Sequence, residues 1–408
     1  MALAQATASA HCMQMSLFGS SRTYLDWASG APVSRDARKA FDDALKEFGN
    51  PSSPHEEGAR AKHALEDART IIARLAEAKP ARVIFTSGAT EANNLALAGS
   101  VMRMKENSQD GIHVLYLPSA HTSVRESLKS LARWEVEIEP LKITDGKIDL
   151  TRLKEQLRSE TRLVVIDAVC GETGTRWNTR GVRNVLNAHA EGSGAQRILL
   201  HVDASQTPPG LPWSLTRFSA DMLTLDAQKV GGIRGIGALC TRSHVRLSPL
   251  MHGGGQEGRL RPGTEPVALA AAFAAALTEA ERTREPFLAH AQRARTRLIG
   301  TLTDAIPGMT VNEGREGVPH ILNLSFPGRD TDYAVMLLDR EGFAVSTKSA
   351  CESGSEQGSR AVLALTNDEA SARSTLRISW GISTSSRDLD RFAHALMRTI
   401  RFLDGTSV

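Results

Sequence analysis

One lysine, Lys229, stands between a short apolar run and a glycine-rich stretch in the segment TLDAQKVGGIRGIGAL, residues 224 to 239. An amine held at the end of a strand can form a Schiff base with a carbonyl compound, which is how pyridoxal phosphate is tethered. Most lysines, however, are solvated loop residues. The segment allows both interpretations, so the rest of the chain must decide between them.

Three further polar residues follow apolar runs that have the composition of strands, and all three suit the same ligand. Asp203, in HVDASQ, could pair with a pyridinium nitrogen, and Gln206 could reach the phenolic oxygen of the ring. His121, in PSAHTSV, could stack on a planar cofactor. Asp203 could equally cap a helix, and His121 could be a polar residue near a helix start. Their occurrence with Lys229 at successive strand ends favours the cofactor.

A possible phosphate site comes earlier in the chain. In SGATEANN, Ala89 and Thr90 lie in a turn of small residues that leads into a helix, and the free N–H groups of such a turn can cradle a phosphate. The same pattern is common as an ordinary helix cap, so alone it is a weak signal.

These residues must be positioned by a sheet. Apolar residues from Ala61 to Leu75 recur at three- and four-residue steps, which predicts an amphipathic helix that ends before Pro80. Short apolar runs then alternate with helical patterns: RVIFTS, IHVLYL, RLVVID, RILLHVD, DMLTLD and GIGALC. This alternation indicates an α/β fold with a mostly parallel sheet covered on both faces, which binds ligands at the carboxyl ends of its strands.

The pattern changes after about Pro266. Long helical segments rich in Ala, Leu and Arg are followed by HILNLSF, a helix over 334 to 338, TLRISWG and a last helix from 388 to 402. We therefore predict three parts: a flexible leader (1–22), a large cofactor-binding domain (23–265, whose first residues could join the small domain), and a smaller α+β domain with a mobile cysteine loop (266–408).

The composition excludes several classes of protein. A net charge of +3 over 408 residues leaves no basic tract for nucleic acid or an anionic membrane, and no apolar run is long enough to cross a bilayer. The amino terminus lacks the pattern of a secretory signal. The four cysteines, Cys12, Cys170, Cys240 and Cys351, are far apart and form no metal-binding or disulfide pattern. We predict a cytoplasmic protein with free thiols and no metal.

The order of motifs resembles one family of enzymes. YLDWASGAPV, FGNPSSPHEEG, FTSGATEANN, HVDASQ, the lysine before GGIRGIGAL, HGGGQEGRLRPGT, KSACES and LRISWG are similar to the NifS-like cysteine desulfurases, fold type I pyridoxal-phosphate enzymes of the class V aminotransferase group. The resemblance runs from about Tyr24 to the last helix. Its most specific pieces are FGNPSSPH, GGGQE with RPGT, and SAC.

The resemblance implies a seven-stranded, mostly parallel sheet and a desulfurase that converts L-cysteine to L-alanine. It assigns a role to each matching residue: Lys229 tethers pyridoxal 5'-phosphate, Asp203 pairs with the ring nitrogen, His121 stacks on the ring, Gln206 contacts the phenolic oxygen, Ala89 and Thr90 meet the phosphate, Thr264 reaches the phosphate of the neighbouring subunit, and Arg377 binds the substrate carboxylate. Thr264 in that role implies a homodimer. Gln228 stands where the family has a histidine, and it can still donate a hydrogen bond to the phosphate.

Cys351 distinguishes a desulfurase from other members of the group. Its surroundings, STKSACESGSEQGS, are small and polar, which predicts an exposed mobile loop over 346 to 360 rather than a buried structural thiol. Such a thiol suits a nucleophile that takes up sulfur as a persulfide and delivers it outward. The resemblance implies that an iron–sulfur scaffold or a sulfur carrier protein accepts the sulfur.

Three departures from the family pattern leave alternatives open. Asp226 and Gln228 stand where a serine and a histidine usually contact the phosphate, Gly171 replaces an asparagine, and Trp27 replaces another. An ionised Asp226 beside a phosphate would be repulsive. The alternatives are another class V activity, such as a selenocysteine lyase, an aminotransferase or an epimerase, or a weakly active homologue that serves as a partner in a sulfur-transfer complex.

Overall fold

The computed structural model describes residues 22–107, 111–193, 196–208, 210–347 and 358–405. The strands are β1 (Thr23–Tyr24), β2 (Val83–Thr86), β3 (Ile112–Tyr116), β4 (Val136–Pro140), β5 (Ile143–Thr144), β6 (Lys147–Ile148), β7 (Thr161–Asp167), β8 (Leu199–Asp203), β9 (Met222–Asp226), β10 (Gly237–Thr241), β11 (Thr310–Val311), β12 (Ile321–Ser325), β13 (Phe343–Ala344) and β14 (Thr375–Ser379).

The helices are α1 (Arg35–Ala44), α2 (Glu56–Ala76), α3 (Ala89–Asn107), α4 (Thr122–Ser130), α5 (Leu150–Gln156), α6 (Thr179–Ser193), α7 (Leu215–Phe218), α8 (Val267–Ala305), α9 (Thr331–Arg340), α10 (Arg360–Thr366), α11 (Glu369–Arg373) and α12 (Ser386–Leu403). Among the described helices, none combines the length and the apolar character needed to cross a membrane.

A seven-stranded sheet forms the centre of the larger core, in the order β2, β10, β9, β8, β7, β3, β4. Strands β4, β3, β7, β8 and β9 are parallel, and β10 is antiparallel to both of its neighbours. Residues of β2, β8, β9 and β10 are almost all buried because helices cover the sheet. The predicted mostly parallel seven-stranded α/β fold is confirmed.

The order of the chain places three carboxylates at one edge of this sheet. Strands β7, β8 and β9 end at Asp167, Asp203 and Asp226. Asp167 lies directly opposite Asp203 in the parallel pairing of β7 with β8. Since side chains opposite each other on neighbouring strands lie on the same face, the sheet itself brings these two carboxyl groups together.

A second core contains the three-stranded antiparallel sheet of β11, β12 and β14, packed against α9, α12 and part of α8. The N-terminal strand β1 pairs in parallel with β13, and Leu25 is buried in this second core. Helix α8 contributes Phe273 and Leu277 to the first core and Phe287 to the second, with Pro286 inside the helix between them. The division of the chain near residue 266 stays a prediction.

Two local differences from the expected elements have physical causes. Strand β4, VEIEP, was not anticipated because it alternates charged and apolar residues at the edge of the sheet. Helix α10 begins at Arg360, inside the segment predicted to be a mobile loop, with Ser359 as its N-cap.

Candidate active site

A cavity of about 240 Å³ opens where three parallel strands end. The last residues of β7, β8 and β9 and the N-terminal turns of α3 and α4 form its wall, which is the usual ligand position in an open α/β sheet. Most residues predicted from the sequence line it, namely Ala89, Thr90, His121, Asp203, Gln206, Gln228, Lys229 and Arg377. Two of the departures, Gly171 and Asp226, line it as well.

Three of the singled-out residues do not line this cavity. Thr264 is exposed in the loop before α8. Cys351 lies outside the described residues, so its role stays a prediction. Trp27 lines a neighbouring cavity of about 250 Å³, which shares Ala28, Gln206 and Lys229 with the first. Its ring packs against Gly381, where an added Cβ would come within 2.2 Å of the ring carbons.

Lys229 ends a 3₁₀ turn, Ala227–Lys229, that directly follows β9. Its Nζ donates hydrogen bonds to the carbonyl oxygens of Ala28 (2.8 Å) and Ser29 (2.9 Å). Burial lowers the pKa of this amine, against the opposing effect of the Asp226 carboxylate. A lowered pKa increases the fraction of neutral, nucleophilic amine, which imine chemistry requires.

Asp203 is held by two hydrogen bonds at the end of β8. Its Oδ2 accepts from Asn93 Nδ2 (2.8 Å), and its Oδ1 accepts from the backbone N–H of Ser205 (2.9 Å). The side chain of Asn93 is itself oriented by His201, whose Nε2 donates to Asn93 Oδ1 (3.0 Å) because that oxygen can only accept. Each Asp203 oxygen keeps a further lone pair for a ligand cation.

His121 is the N-cap of α4. Its Nδ1 accepts the backbone N–H of Ser123 (3.1 Å) and lies 2.8 Å from Ser123 Oγ, which in turn accepts from Asn93 (3.0 Å). Because Nδ1 accepts a backbone N–H, a neutral His121 carries its proton on Nε2. Burial lowers the pKa of His121, which favours this neutral form. Hydrogen bonds thus connect the imidazole through Ser123 and Asn93 to Asp203.

Asp167 is a second carboxyl group in the cavity wall, beside Asp203. It is buried, and its Oδ1 has no hydrogen-bond partner among the described residues. Burial and the neighbouring Asp203 raise the pKa of Asp167 to about 8, so its neutral form is favoured at neutral pH. The sequence analysis missed this residue, although its position at the end of RLVVID is the same signal that identified Asp203.

Arg377 connects three segments around the cavity. From β14, its Nη1 donates to the carbonyl oxygen of Gly171 (2.9 Å), and its Nη2 donates to Asp26 Oδ1 (2.7 Å) and Ser29 Oγ (2.5 Å). The backbone of Arg377 pairs with Ser346, the start of the segment that leads to Cys351. The guanidinium is 3% exposed and is therefore fixed in position.

Gln206 occupies the space in front of Gly171. A Cβ added to Gly171 would lie 2.9 Å from Gln206 Nε2 and 3.1 Å from its Cγ. Gln206 Nε2 donates to the carbonyl oxygen of Ala28 (2.9 Å), the same oxygen that accepts from Lys229. The space next to Gly171 that a side chain would enter is thus occupied by Gln206.

Asp226 connects the end of β9 to the start of α3. Its Oδ2 accepts the backbone N–H of Ala89 (3.2 Å), and its Oδ1 accepts that of Gln228 (3.1 Å). The residue is 7% exposed, and burial raises its pKa. The carboxyl group therefore faces the turn from which a phosphate was expected to receive hydrogen bonds, rather than pointing away from it.

Comparisons with known proteins place this fold and site in a family. The model of the class V aminotransferases matches residues 23–392. This chain belongs to the class V aminotransferase family. Cysteine desulfurase IscS 1 of Archaeoglobus fulgidus is 33% identical over 388 residues, covering 94% of this chain and 98% of the relative. Cysteine desulfurase IscS of Dictyoglomus turgidum is 32% identical and covers 93% and 95%.

Solved structures of similar proteins agree with the fold. A NifS-like protein superimposes with a TM-score of 0.85 at 26% identity, covering 94% of this chain and all of that one. SspA in complex with cysteine gives a TM-score of 0.74 at 30% identity, with coverage of 87% and 98%. The predicted resemblance to the NifS-like cysteine desulfurases is confirmed.

Class V aminotransferases are pyridoxal-phosphate enzymes, and several residues of the cavity match chemical groups of that cofactor. Lys229 offers a buried amine with a lowered pKa, and Asp203 offers a buried carboxylate with unused lone pairs. This donor set fits the aldehyde and the ring nitrogen of the cofactor. At the start of α3, which suits a phosphate, one backbone donor is already bound to Asp226.

Proposed function

We propose that this chain is a pyridoxal-phosphate-dependent cysteine desulfurase that releases L-alanine from L-cysteine and passes the sulfur on through Cys351. The observation that carries the proposal is that an amine, a carboxylate, an imidazole and a guanidinium line a single cavity: Lys229, Asp203, His121 and Arg377. The named activity of the relatives, which match nearly the whole length of the chain, supports the same reaction.

The division of labour follows from the surroundings of each residue. When bound, pyridoxal phosphate supplies an electron-withdrawing ring that accepts the electron pair released at the substrate Cα. Asp203, held by Asn93 and Ser205, keeps a proton on the ring nitrogen by pairing with it. His121 is held by Ser123, and its imidazole in the cavity wall would cover the planar ring.

Lys229 has two tasks in this proposal. Its amine would tether the cofactor between reactions and would take the Cα proton of the substrate. Two backbone carbonyl oxygens hold the side chain in the cavity, and burial lowers its pKa, so the amine is suited to accept a proton.

Arg377 binds the substrate carboxylate. A planar guanidinium binds a carboxylate through parallel hydrogen bonds, and the buried position of this one limits it to ligands inside the cavity. Asp26 pairs with Arg377, so a substrate carboxylate must share or replace that ion pair.

Cys351 is the nucleophile of the sulfur transfer. Its thiolate attacks the sulfur of the substrate, an S–S bond forms, and the bond from that sulfur to the substrate Cβ breaks. Thr347, the last described residue before Cys351, follows Ser346, whose backbone pairs with that of Arg377 in the cavity wall.

The partners belong to the same proposal. An iron–sulfur scaffold or a sulfur carrier protein accepts the persulfide, and a second copy of the chain supplies Thr264 to the phosphate. We propose the cytoplasm as the compartment, since the described cysteines Cys170 and Cys240 are unpaired and buried, as suits a reducing environment.

The test is the reaction of the purified full chain with L-cysteine and a thiol reductant, with alanine and sulfide measured together. We expect equal amounts of both products, loss of the visible absorption of the bound cofactor in Lys229→Ala, and loss of sulfide in Cys351→Ser with that absorption retained. Cys12→Ser is the matched cysteine control and should keep full activity. Turnover of L-selenocysteine or of another amino acid, without turnover of L-cysteine, would contradict the proposal.

A further inference from the structure

Two carboxylate side chains already accept hydrogen bonds from backbone N–H groups at the start of α3. Glu91 Oε2 accepts the N–H of Ser87 (2.6 Å), and Asp226 Oδ2 accepts the N–H of Ala89 (3.2 Å). These groups are among those that an anion at the start of a helix would use. Glu91 is also paired with Arg261 (3.1 Å). Neither Glu91 nor Arg261 lines the cavity, whereas Asp226 does.

We propose that Asp226 determines how strongly the site holds the phosphate group of a pyridoxal cofactor. Its carboxyl group accepts the backbone N–H of Ala89, a hydrogen-bond donor that the phosphate needs. The phosphate therefore binds only when Asp226 is protonated or turned away. The inference rests on the proposed function, because it assumes that a pyridoxal ring binds beside Lys229 and Asp203.

The position of Asp226 makes this competition direct. A Cβ added to Gly88 would lie 3.7 Å from Asp226 Oδ2, so the carboxyl group packs directly against the turn. Its second oxygen is bound to the N–H of Gln228, in the 3₁₀ turn that carries Lys229. The carboxyl group therefore cannot leave the turn without loosening the segment that holds the reactive lysine.

The charges around Asp226 set the direction of the pH dependence. Lys229 attracts the carboxylate, Asp203 repels it, and burial, the largest effect, raises the pKa of Asp226. A protonated Asp226 donates its O–H to a phosphate oxygen, whereas the ionised form repels the phosphate dianion at short range. Phosphate binding should therefore weaken as the pH rises through the pKa of Asp226.

The experiment compares pyridoxal 5'-phosphate with pyridoxal, which has the same ring and aldehyde but no phosphate. Dissociation constants for the cofactor-free full chain are measured from absorbance in slightly acidic and slightly alkaline buffer. The ratio of the pyridoxal constant to the pyridoxal-phosphate constant reports the contribution of the phosphate alone. In the native chain we expect this ratio to fall as the pH rises.

Asp226→Asn keeps the shape of the side chain and removes its charge, so its amide can accept from Ala89 and donate to a phosphate. At alkaline pH we expect the ratio in this variant to rise by about tenfold or more, because a repulsion between two anions has been replaced by a hydrogen bond. Pyridoxal itself should bind the variant and the native chain nearly equally. Asp43→Asn, on the exposed face of α1, is the matched control.

Two further measurements keep the inference falsifiable. Asp226→Ser, a smaller neutral donor, should raise the ratio as well, and inorganic phosphate should raise the thermal unfolding midpoint of the cofactor-free Asp226→Asn chain more than that of the native chain. An unchanged ratio in both variants would overturn the inference and leave the proposed function standing. If folded native and variant chains bound neither pyridoxal compound, both the inference and the proposed function would be wrong.

Discussion

At the scale of single residues, Gly171 leaves space that a neighbouring side chain occupies. Gln206 fills the adjacent space and uses its Nε2 to bind Ala28, next to the amine of Lys229. An asparagine at residue 171 would meet Gln206 before it met a ligand. The two residues should therefore be energetically coupled.

Gly171→Asn should lower the free energy of unfolding by about 1 kcal/mol or more, since Gln206 must move and give up its hydrogen bond to Ala28. In a Gln206→Ala background the same substitution should cost less, because the space is then free. Urea unfolding of the four proteins in this double-mutant cycle measures the coupling. Gly192→Asn, at a glycine with nothing within 4 Å of an added Cβ, is the control. Costs that simply add would show that the contact has no energetic effect.

At the scale of secondary structure elements, the pairing of β7 with β8 places Asp167 opposite Asp203. The raised pKa of Asp167 means that the folded protein keeps a proton that the unfolded chain loses. The stability from this group is present in full below the unfolded pKa of about 4 and is lost as the pH rises toward the folded pKa of about 8.

Asp167→Asn should remove the loss of stability that the native chain shows as the pH rises. Between about pH 4 and pH 8, the difference in unfolding free energy between variant and native chains should shift in favour of the variant by at most about 1.4 kcal/mol per pH unit. Urea unfolding of the cofactor-free proteins at several pH values measures this difference. The contributions of other titrating groups to the unfolding free energy cancel in it. Asp145→Asn, in an exposed turn, should show no such trend. A pH-independent difference for Asp167→Asn would mean that Asp167 is ionised in the folded state.

The strands that the sequence predicted are those buried on both faces of their sheet. Continuous apolar runs identified β2, β3, β7 to β10, β12 and β14, whereas the edge strand β4 and the two-residue strands have too little apolar surface to give a signal. Helix α8 continues through Pro286, where a break would be usual, and its residues before and after the proline pack into different cores.

The site was predictable where it depends on strand ends and not where it depends on side-chain conformations. Lys229 and Asp203 follow apolar strands, so their approach to one cavity follows from the topology of a parallel sheet. The hydrogen bonds of Asn93 to Asp203 and of Asp226 to Ala89 join residues more than a hundred positions apart. A single sequence carries no signal for such contacts.

At the scale of the whole molecule, the proposed homodimer makes a prediction about shared sites. If Thr264 of one protomer completes the site of its partner, a mixed dimer of Lys229→Ala and Thr264→Asp chains contains one site in which both residues are native. Neither variant alone should turn over L-cysteine, because each of its sites carries a defect. The co-expressed mixture should recover activity and visible cofactor absorption.

The readout for the mixed dimer is alanine formation by protein purified through tags on both chains, with sedimentation to measure its mass. Two copies of the 44.0 kDa chain are expected. Lys229→Ala mixed with native chain is the matched control, since it must contain intact sites under any arrangement. An active monomer, or a Thr264→Asp chain with native activity, would be incompatible with shared sites.

The contact of Asp26 with β14 also determines when the site can form during synthesis of the chain. A ribosome synthesises roughly 5 to 20 residues per second, so Asp26 precedes its partner Arg377, 351 positions later, by about 18 to 70 s. Until Phe287 has been synthesised, Leu25 has no core to enter, because no other residue of the second core exists yet. The cavity wall therefore closes only after β14 has been synthesised. A nascent chain that stops before β14 cannot form the site, however completely its central sheet has folded.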